Sequence, residues 1–146
     1  MDELDKSILK CLKVNSRMRA SEIGKRVNLS VSSVIDRIHK LEDQGVIQRY
    51  TVVLDPNKTG HKVAMMICIK MTQPGFYDSI IEKILANPNV IQCHYLTGEV
   101  DFILNVTASS PENLQKIHHE ISMLEGVASI TSYYVIKTIK NDFSVL

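Results

Sequence analysis

Residues 21–47, SEIGKRVNLSVSSVIDRIHKLEDQGVI, constrain the fold most, because they set out a short helix, a tight break and a second helix at helix-turn-helix spacing. Ser21 is placed to cap the first helix, whose Ile23 and Val27 share a face; its hydroxyl can accept a free N–H of the first turn. Asn28, Leu29 and Ser30 break that helix. In the second, Val31, Val34, Ile38 and Leu41 follow at intervals of three, four and three, which predicts one buried stripe. Gly45 is the expected C′ stop. The opposite face carries Ser32, Ser33, Asp36, Arg37, His39 and Lys40, a mixture of donors and acceptors suited to base-pair edges in the major groove of duplex DNA. With Ser30 at the break and Lys25 and Arg26 closing the first helix, these are the candidate DNA contacts.

An amphipathic hairpin with a charged outer face is often only a solvated surface, and the order of elements around it is what separates this one. Upstream, Leu4, Ile8, Cys11 and Leu12 form a third helical stripe, with Asp2 and Glu3 favourable at its N-terminus. Downstream, residues 46–54 (VIQRYTVVL) are rich in β-formers and close on Asp55 and Pro56, so three helices are followed by a wing strand. Net charge is only +1 for the whole chain, but residues 1–60 hold 11 Lys and Arg against 8 Asp and Glu, whereas residues 61–146 hold 6 against 8. Lys25, Arg26, Arg37, Lys40 and Arg49 are each able to neutralise a phosphate. So small an excess implies weak binding by one chain, and a dimer or larger assembly to supply further contacts.

At 146 residues and 45% hydrophobic, the chain can bury one core or two small ones. MDELDKS is acidic where a secretory signal would be basic and then apolar, and the longest apolar run, 63–69, is too short for a bilayer, so a cytoplasmic protein is expected. Cys11, Cys68 and Cys93 are widely spaced and read as reduced packing residues, with no metal site and no cofactor expected. The composition of 55–61 (DPNKTGH) marks a linker, dividing the chain into 1–54 and 62–146. In the second part, residues 62–72, 90–96, 102–108 and 127–140 have strand character. Helical spacing covers 76–86 and the stretch opened by Ser110, Pro111 and Glu112, where Leu114, Ile117, Ile121 and Leu124 repeat the ladder before Gly126 ends it.

The resulting β-α-β-β-α-β order is that of a ferredoxin-like sandwich, an antiparallel sheet with both helices on one face. MMICI (65–69) and YYVI (133–136) read as apolar on both faces, so the sheet's other side should need a second subunit as its cover.

The segment LDKSILKCLKVNSRMRASEIGKRVNLSVSSVIDRIHKLEDQGVIQRYTVVLDP is similar to the N-terminal part of Lrp/AsnC regulators, and LTGEVDFIL resembles the glycine-acid turn of their C-terminal module. The resemblance spans essentially the whole chain and implies an α+β protein with a winged helix-turn-helix followed by the ferredoxin-like module. It further implies a transcription regulator that dimerises through its C-terminal sheet, often assembles to octamers, and responds to an amino acid bound between dimers. On that footing the effector site is expected at Thr97, Gly98, Glu99 and Asp101: Gly98 allows a positive φ, backbone N–H groups can take a carboxylate, and an acid can meet an ammonium. Glu99 stands where the family frequently has aspartate. Thr131, Ser132 and Tyr133 are candidates to join from a neighbouring subunit.

Two other readings share this organisation. Siroheme decarboxylases resemble the same family, and catalysis would look to the histidines. His94 lies on a strand; His118 and His119 are adjacent on a helix, about 100° apart, so they cannot grip one metal together. The chain holds no GxSxG, phosphate loop or HExxH, so no enzyme is expected. The other reading is an architectural DNA binder without an effector, which would differ only at the Gly98 turn.

Overall fold

The computed structural model describes residues 1–141 and divides them into two compact units, Met1–Val53 and Leu54–Asn141. The first is built from α1 (Glu3–Val14), α2 (Ala20–Val27) and α3 (Val31–Asp43). Its core is small: Ile8, Cys11, Ile23 and Val34 are buried, with Leu12, Met18, Val27, Leu29 and Ile38 packed around them. Between α2 and α3 the chain reverses through Asn28 in the left-handed region (φ 55°), which asparagine tolerates, while Leu29 N–H donates to Gly24 C=O at 2.9 Å. Ser30 caps α3 by accepting from Ser33 N–H.

Three local expectations change here. The helix after Arg19 starts at Ala20, so Ser21 lies inside it and not at its cap; the backbone carbonyl of Arg19 takes the N–H groups of Glu22 and Ile23, and no side chain caps. Val31 is 47% exposed, because it is the first residue of α3 and overhangs the core that Val34 and Leu41 fill. Residues 46–54 form no strand, since β-propensity alone makes no ladder and no second strand lies beside them among the described residues. Instead, Ile47 N–H donates to Leu41 C=O and the Tyr50 hydroxyl donates to Glu42 Oε1 at 2.8 Å, tying the segment to the end of α3. Gly45 does follow the helix with φ 68°.

The second unit has β1 (Val63–Met71), a 3-10 turn (Pro74–Phe76), α4 (Tyr77–Ala86), β2 (Val90–Tyr95), β3 (Phe102–Ala108), α5 (Pro111–Ser122) and β4 (Val127–Tyr134). The sheet is antiparallel in the order β2-β3-β1-β4, and Ile80, Ile84, Leu114, Ile117 and Ile121 of the helices pack on Ile67, Ile69, Phe102, Leu104 and Val106. This is the ferredoxin-like arrangement, with the strict alternation of β3 (Phe102, Leu104, Val106 and Ala108 buried) recording which face meets the helices. Before β1, residues 55–61 form a hydrogen-bonded turn in which Asp55 accepts from Asn57, Lys58 and Thr59.

The last strand stops at Tyr134, short of the expected 140: Tyr134 pairs with Met65, one further bond runs from Val135 N–H to Ala64 C=O, and β1 itself begins at Val63, so it offers no partner to residues near 140. Gly126 does not end α5, which closes at Ser122; it turns the chain into β4 at φ 90°, where the Phe76 ring fills the space a Cβ would need. The expected end of the second domain at 146 lies outside the described residues.

Candidate DNA interface and effector loop

Successive residues of a helix turn by about 100°, which sorts the outer side of α3 into an exposed centre and a margin. Ser32, Asp36, His39 and Lys40 occupy the centre and are exposed; Ser33 is half-buried beside them. At the root of this face three hydroxyls touch: Ser30 Oγ is 3.0 Å from Ser32 Oγ and 2.8 Å from Ser33 Oγ. Lys25 and Arg26 are exposed at the end of α2. The structure thus brings the serines, Asp36, His39 and Lys40 onto one accessible surface.

Arg37 falls on the margin, next to the line of Leu41, and is engaged elsewhere. Its Nη1 donates to Asp2 Oδ2 at 2.7 Å and to Asp5 Oδ1 at 2.6 Å, joining α3 to the first turn of α1. Asp2, Ser33, Asp36, Arg37 and Lys40 line one open hollow of about 370 Å³. Hydrogen bonds from each other's backbone N–H, and then the guanidinium, hold the carboxyls of Asp2 and Asp5 below the usual range; the two acids in turn raise Arg37. Burial, reinforced by Glu42, pushes the Tyr50 phenol up to about 12.

Residues 96–101 connect β2 to β3 as a hairpin loop closed by Leu96 N–H donating to Asp101 C=O at 2.8 Å. Thr97, Gly98 and Glu99 are exposed on it, with Gly98 at φ 134° and open space where a side chain would point. Asp101 has a different job. Its N–H donates to Ile69 C=O at 2.8 Å and its Oδ2 accepts Met71 N–H at 2.6 Å, so its backbone N–H and one carboxylate oxygen pin the loop base to the end of β1, beside the irregularity between Lys70 and Met71. Tyr77, Tyr95 and Phe102 cluster at the same end of the sheet, with ring centroids 4.9 to 5.8 Å apart.

On β4 the three candidates separate by strand alternation. Thr131 and Tyr133 pair with Cys68 and Met66 and lie on the face away from the helices, whereas Ser132 pairs with the buried Ile67 and its hydroxyl is buried without a partner. With β1 between them, β3 and β4 are about 10 Å apart, so within one chain Thr131 and Tyr133 do not close over the loop. The face they share is mixed in character and not the uniformly apolar surface expected: Ala64, Met66, Cys68 and Ile103 sit among Lys70, His94, Asn105 and Thr107. A separate cleft of about 170 Å³ between α4 and α5, lined by Ile84, Val90, Ile121 and Leu124, contains none of these residues. No group of three or more His, Cys, Asp or Glu converges among the described residues, and no helix there is long and apolar enough to cross a membrane.

Sequence reasoning missed three contributors. Asp2 was read only as an N-terminal acid and Asp5 was not singled out, and no local pattern links them to a residue more than thirty positions away. Gly24 sits inside α2 with Leu29 C=O 2.6 Å from where its Cβ would be; a glycine in the middle of a short helix was the available signal.

Comparison with known proteins agrees with this geometry at both ends of the chain. Residues 1–42 match the AsnC-type helix-turn-helix domain and residues 64–145 the Lrp/AsnC ligand binding domain. An uncharacterized HTH-type transcriptional regulator of Pyrococcus furiosus is 34% identical over 144 residues, 98% of this chain and 96% of that protein. Among solved structures, an AsnC family regulator from Agrobacterium tumefaciens is 26% identical, with a TM-score of 0.93 over 100% of this chain and 97% of its own. A Neisseria meningitidis transcriptional regulator solved as an L-Met complex is also 26% identical, with a TM-score of 0.94 over 100% and 96% of the two chains.

Proposed function

Because the chain belongs to the Lrp/AsnC family, it is a helix-turn-helix transcriptional regulator with a ligand-binding domain, and we propose that an amino acid bound at the Gly98 loop modulates its grip on DNA. DNA recognition is assigned to Ser30, Ser32, Ser33, Asp36, His39 and Lys40, with Lys25 and Arg26 on flanking phosphates. The exposed, mixed donor and acceptor face of α3 is the observation that carries this assignment.

For the effector, the Neisseria regulator's L-Met complex lends the ligand class. The loop supports it with exposed N–H groups around Gly98 and a free-standing Glu99 carboxylate for the ammonium. Asp101, whose Oδ2 accepts Met71 N–H, is given the role of holding the loop base. Thr131 and Tyr133 would reach such a site only from another subunit, which fits a homodimer formed through the open sheet face and further assembly as far as an octamer. The family is one of regulators, a cytoplasmic place follows from that role, and no catalytic function is proposed.

A thermal-shift panel of the twenty amino acids, run beside binding to the gene's own upstream duplex, tests the reading. One or a few amino acids should raise Tm and change DNA affinity, as a ligand seen by one state must. A flat panel would reduce the protein to an effector-independent DNA binder.

A further inference from the structure

One cation on the recognition helix behaves unlike the rest. Both hydrogen bonds of the Arg37 guanidinium run from Nη1, to Asp2 Oδ2 and Asp5 Oδ1. The remaining oxygens of these acids are also occupied: Asp5 N–H donates to Asp2 Oδ1 at 2.8 Å and Asp2 N–H to Asp5 Oδ2 at 2.9 Å, the capping box that starts α1. Four carboxylate oxygens, two backbone N–H groups and one guanidinium therefore make a closed ring between the first turn of α1 and the middle of α3.

We infer that Arg37 is a positioning residue of the DNA interface, holding α3 against α1 so that its exposed centre faces the groove, and that it does not itself contact DNA. Three features carry this. Asp5 is the one buried charged side chain among the described residues, at 7% exposure, and a buried carboxylate needs its counter-ion. Arg37 lies on the margin of α3 and its side chain is only 30% exposed. Two acids against one guanidinium leave the ring with an excess of negative charge, which disfavours an approaching phosphate.

The inference rests on α3 being the DNA-reading helix, and the sign of one effect tests it. Full-length parent, Asp2→Asn/Asp5→Asn, Arg37→Ala and the triple variant are compared by fluorescence anisotropy on the upstream duplex and on an unrelated duplex, across several salt concentrations, each shown by circular dichroism to be folded at the assay temperature. Removing two acids should favour any polyanion. If Arg37 positions α3, the double variant nevertheless loses about tenfold in affinity for the upstream duplex. It should bind the unrelated duplex as well as the parent or better, and adding Arg37→Ala should change little, because ring members act as a unit. If Arg37 contacts DNA, the double variant instead binds more tightly. Arg37→Ala would then lower the salt slope by about 0.9 in either background, and the inference would be overturned. Should the double variant not fold, Asp2→Asn alone opens one side of the ring at an exposed acid, and the same signs decide. A parent without preference for either duplex would overturn the DNA reading itself, an outcome distinct from both.

Discussion

Replacing Gly24 by alanine sets two effects of opposite sign against each other inside the helix-turn-helix. On an exposed helix Gly→Ala gains about 1 kcal/mol from lower backbone entropy. Here the new Cβ would lie 2.6 Å from Leu29 C=O and 3.7 Å from Val34 Cγ2. The carbonyl would have to retreat by about 0.8 Å to reach ordinary contact, and it belongs to the residue whose N–H donates to Gly24 C=O at 2.9 Å. That retreat costs an overpacking term of about 1 to 3 kcal/mol and weakens a hydrogen bond worth about 1. The net is a loss of about 1 to 3 kcal/mol in a unit with a small core, in which Ile8, Cys11, Ile23 and Val34 cluster. Since Ser30 caps α3 directly after Leu29, the displaced turn also moves the reading helix, and DNA affinity should fall about tenfold or more. Urea unfolding followed by helical circular dichroism gives the stability, and anisotropy gives the affinity. A Gly24→Ala variant as stable as the parent with unchanged DNA affinity would refute the account of this turn.

Gly98→Val meets no neighbour but imposes a β-branched residue at φ 134°, so DNA binding should persist while any amino-acid response in the thermal-shift panel disappears; a retained response removes the loop from the site. Met66 and Tyr133 are direct cross-strand partners on the open sheet face, 40% and 60% exposed, and Met66→Asp should lower the mass seen by light scattering at micromolar concentration; a parent that is already monomeric would deny the face that role. Asp2 and Asp5 both have folded-state values below their unfolded value of 3.8, so their stabilising contribution is present above that value and is lost progressively as pH falls below it through the lower folded-state values. Acid unfolding of Asp5→Asn should therefore be less steep below about pH 4, and an unchanged acid limb would count against the ring.

Much of the architecture was legible because it is written in spacing. Val34 and Leu41 at helical intervals, and Phe102, Leu104 and Val106 at intervals of two, each name the face that is buried. What escaped depends on distant partners. The β-branched run of 46–54 signals propensity, yet a strand exists only where another strand supplies its hydrogen bonds. Arg37 looks like any cation on an outer helix face until the two acids of α1 are placed beside it. Ser132 reads as one of three polar neighbours, but alternation turns it to the helix side, away from Thr131 and Tyr133. Asp101 has the composition of a ligand contact and the hydrogen bonds of a hinge pin.

The most direct test of the central claim is one titration: labelled duplex from the gene's upstream region, bound by the full-length protein across a salt series, with and without the amino acid that most raises Tm. A regulator that reads DNA through α3 and ligand through the Gly98 loop should prefer this duplex over an unrelated one, lose affinity steeply as salt rises, and change affinity when the amino acid is added. Equal affinity for both duplexes, unchanged by any amino acid, would contradict it.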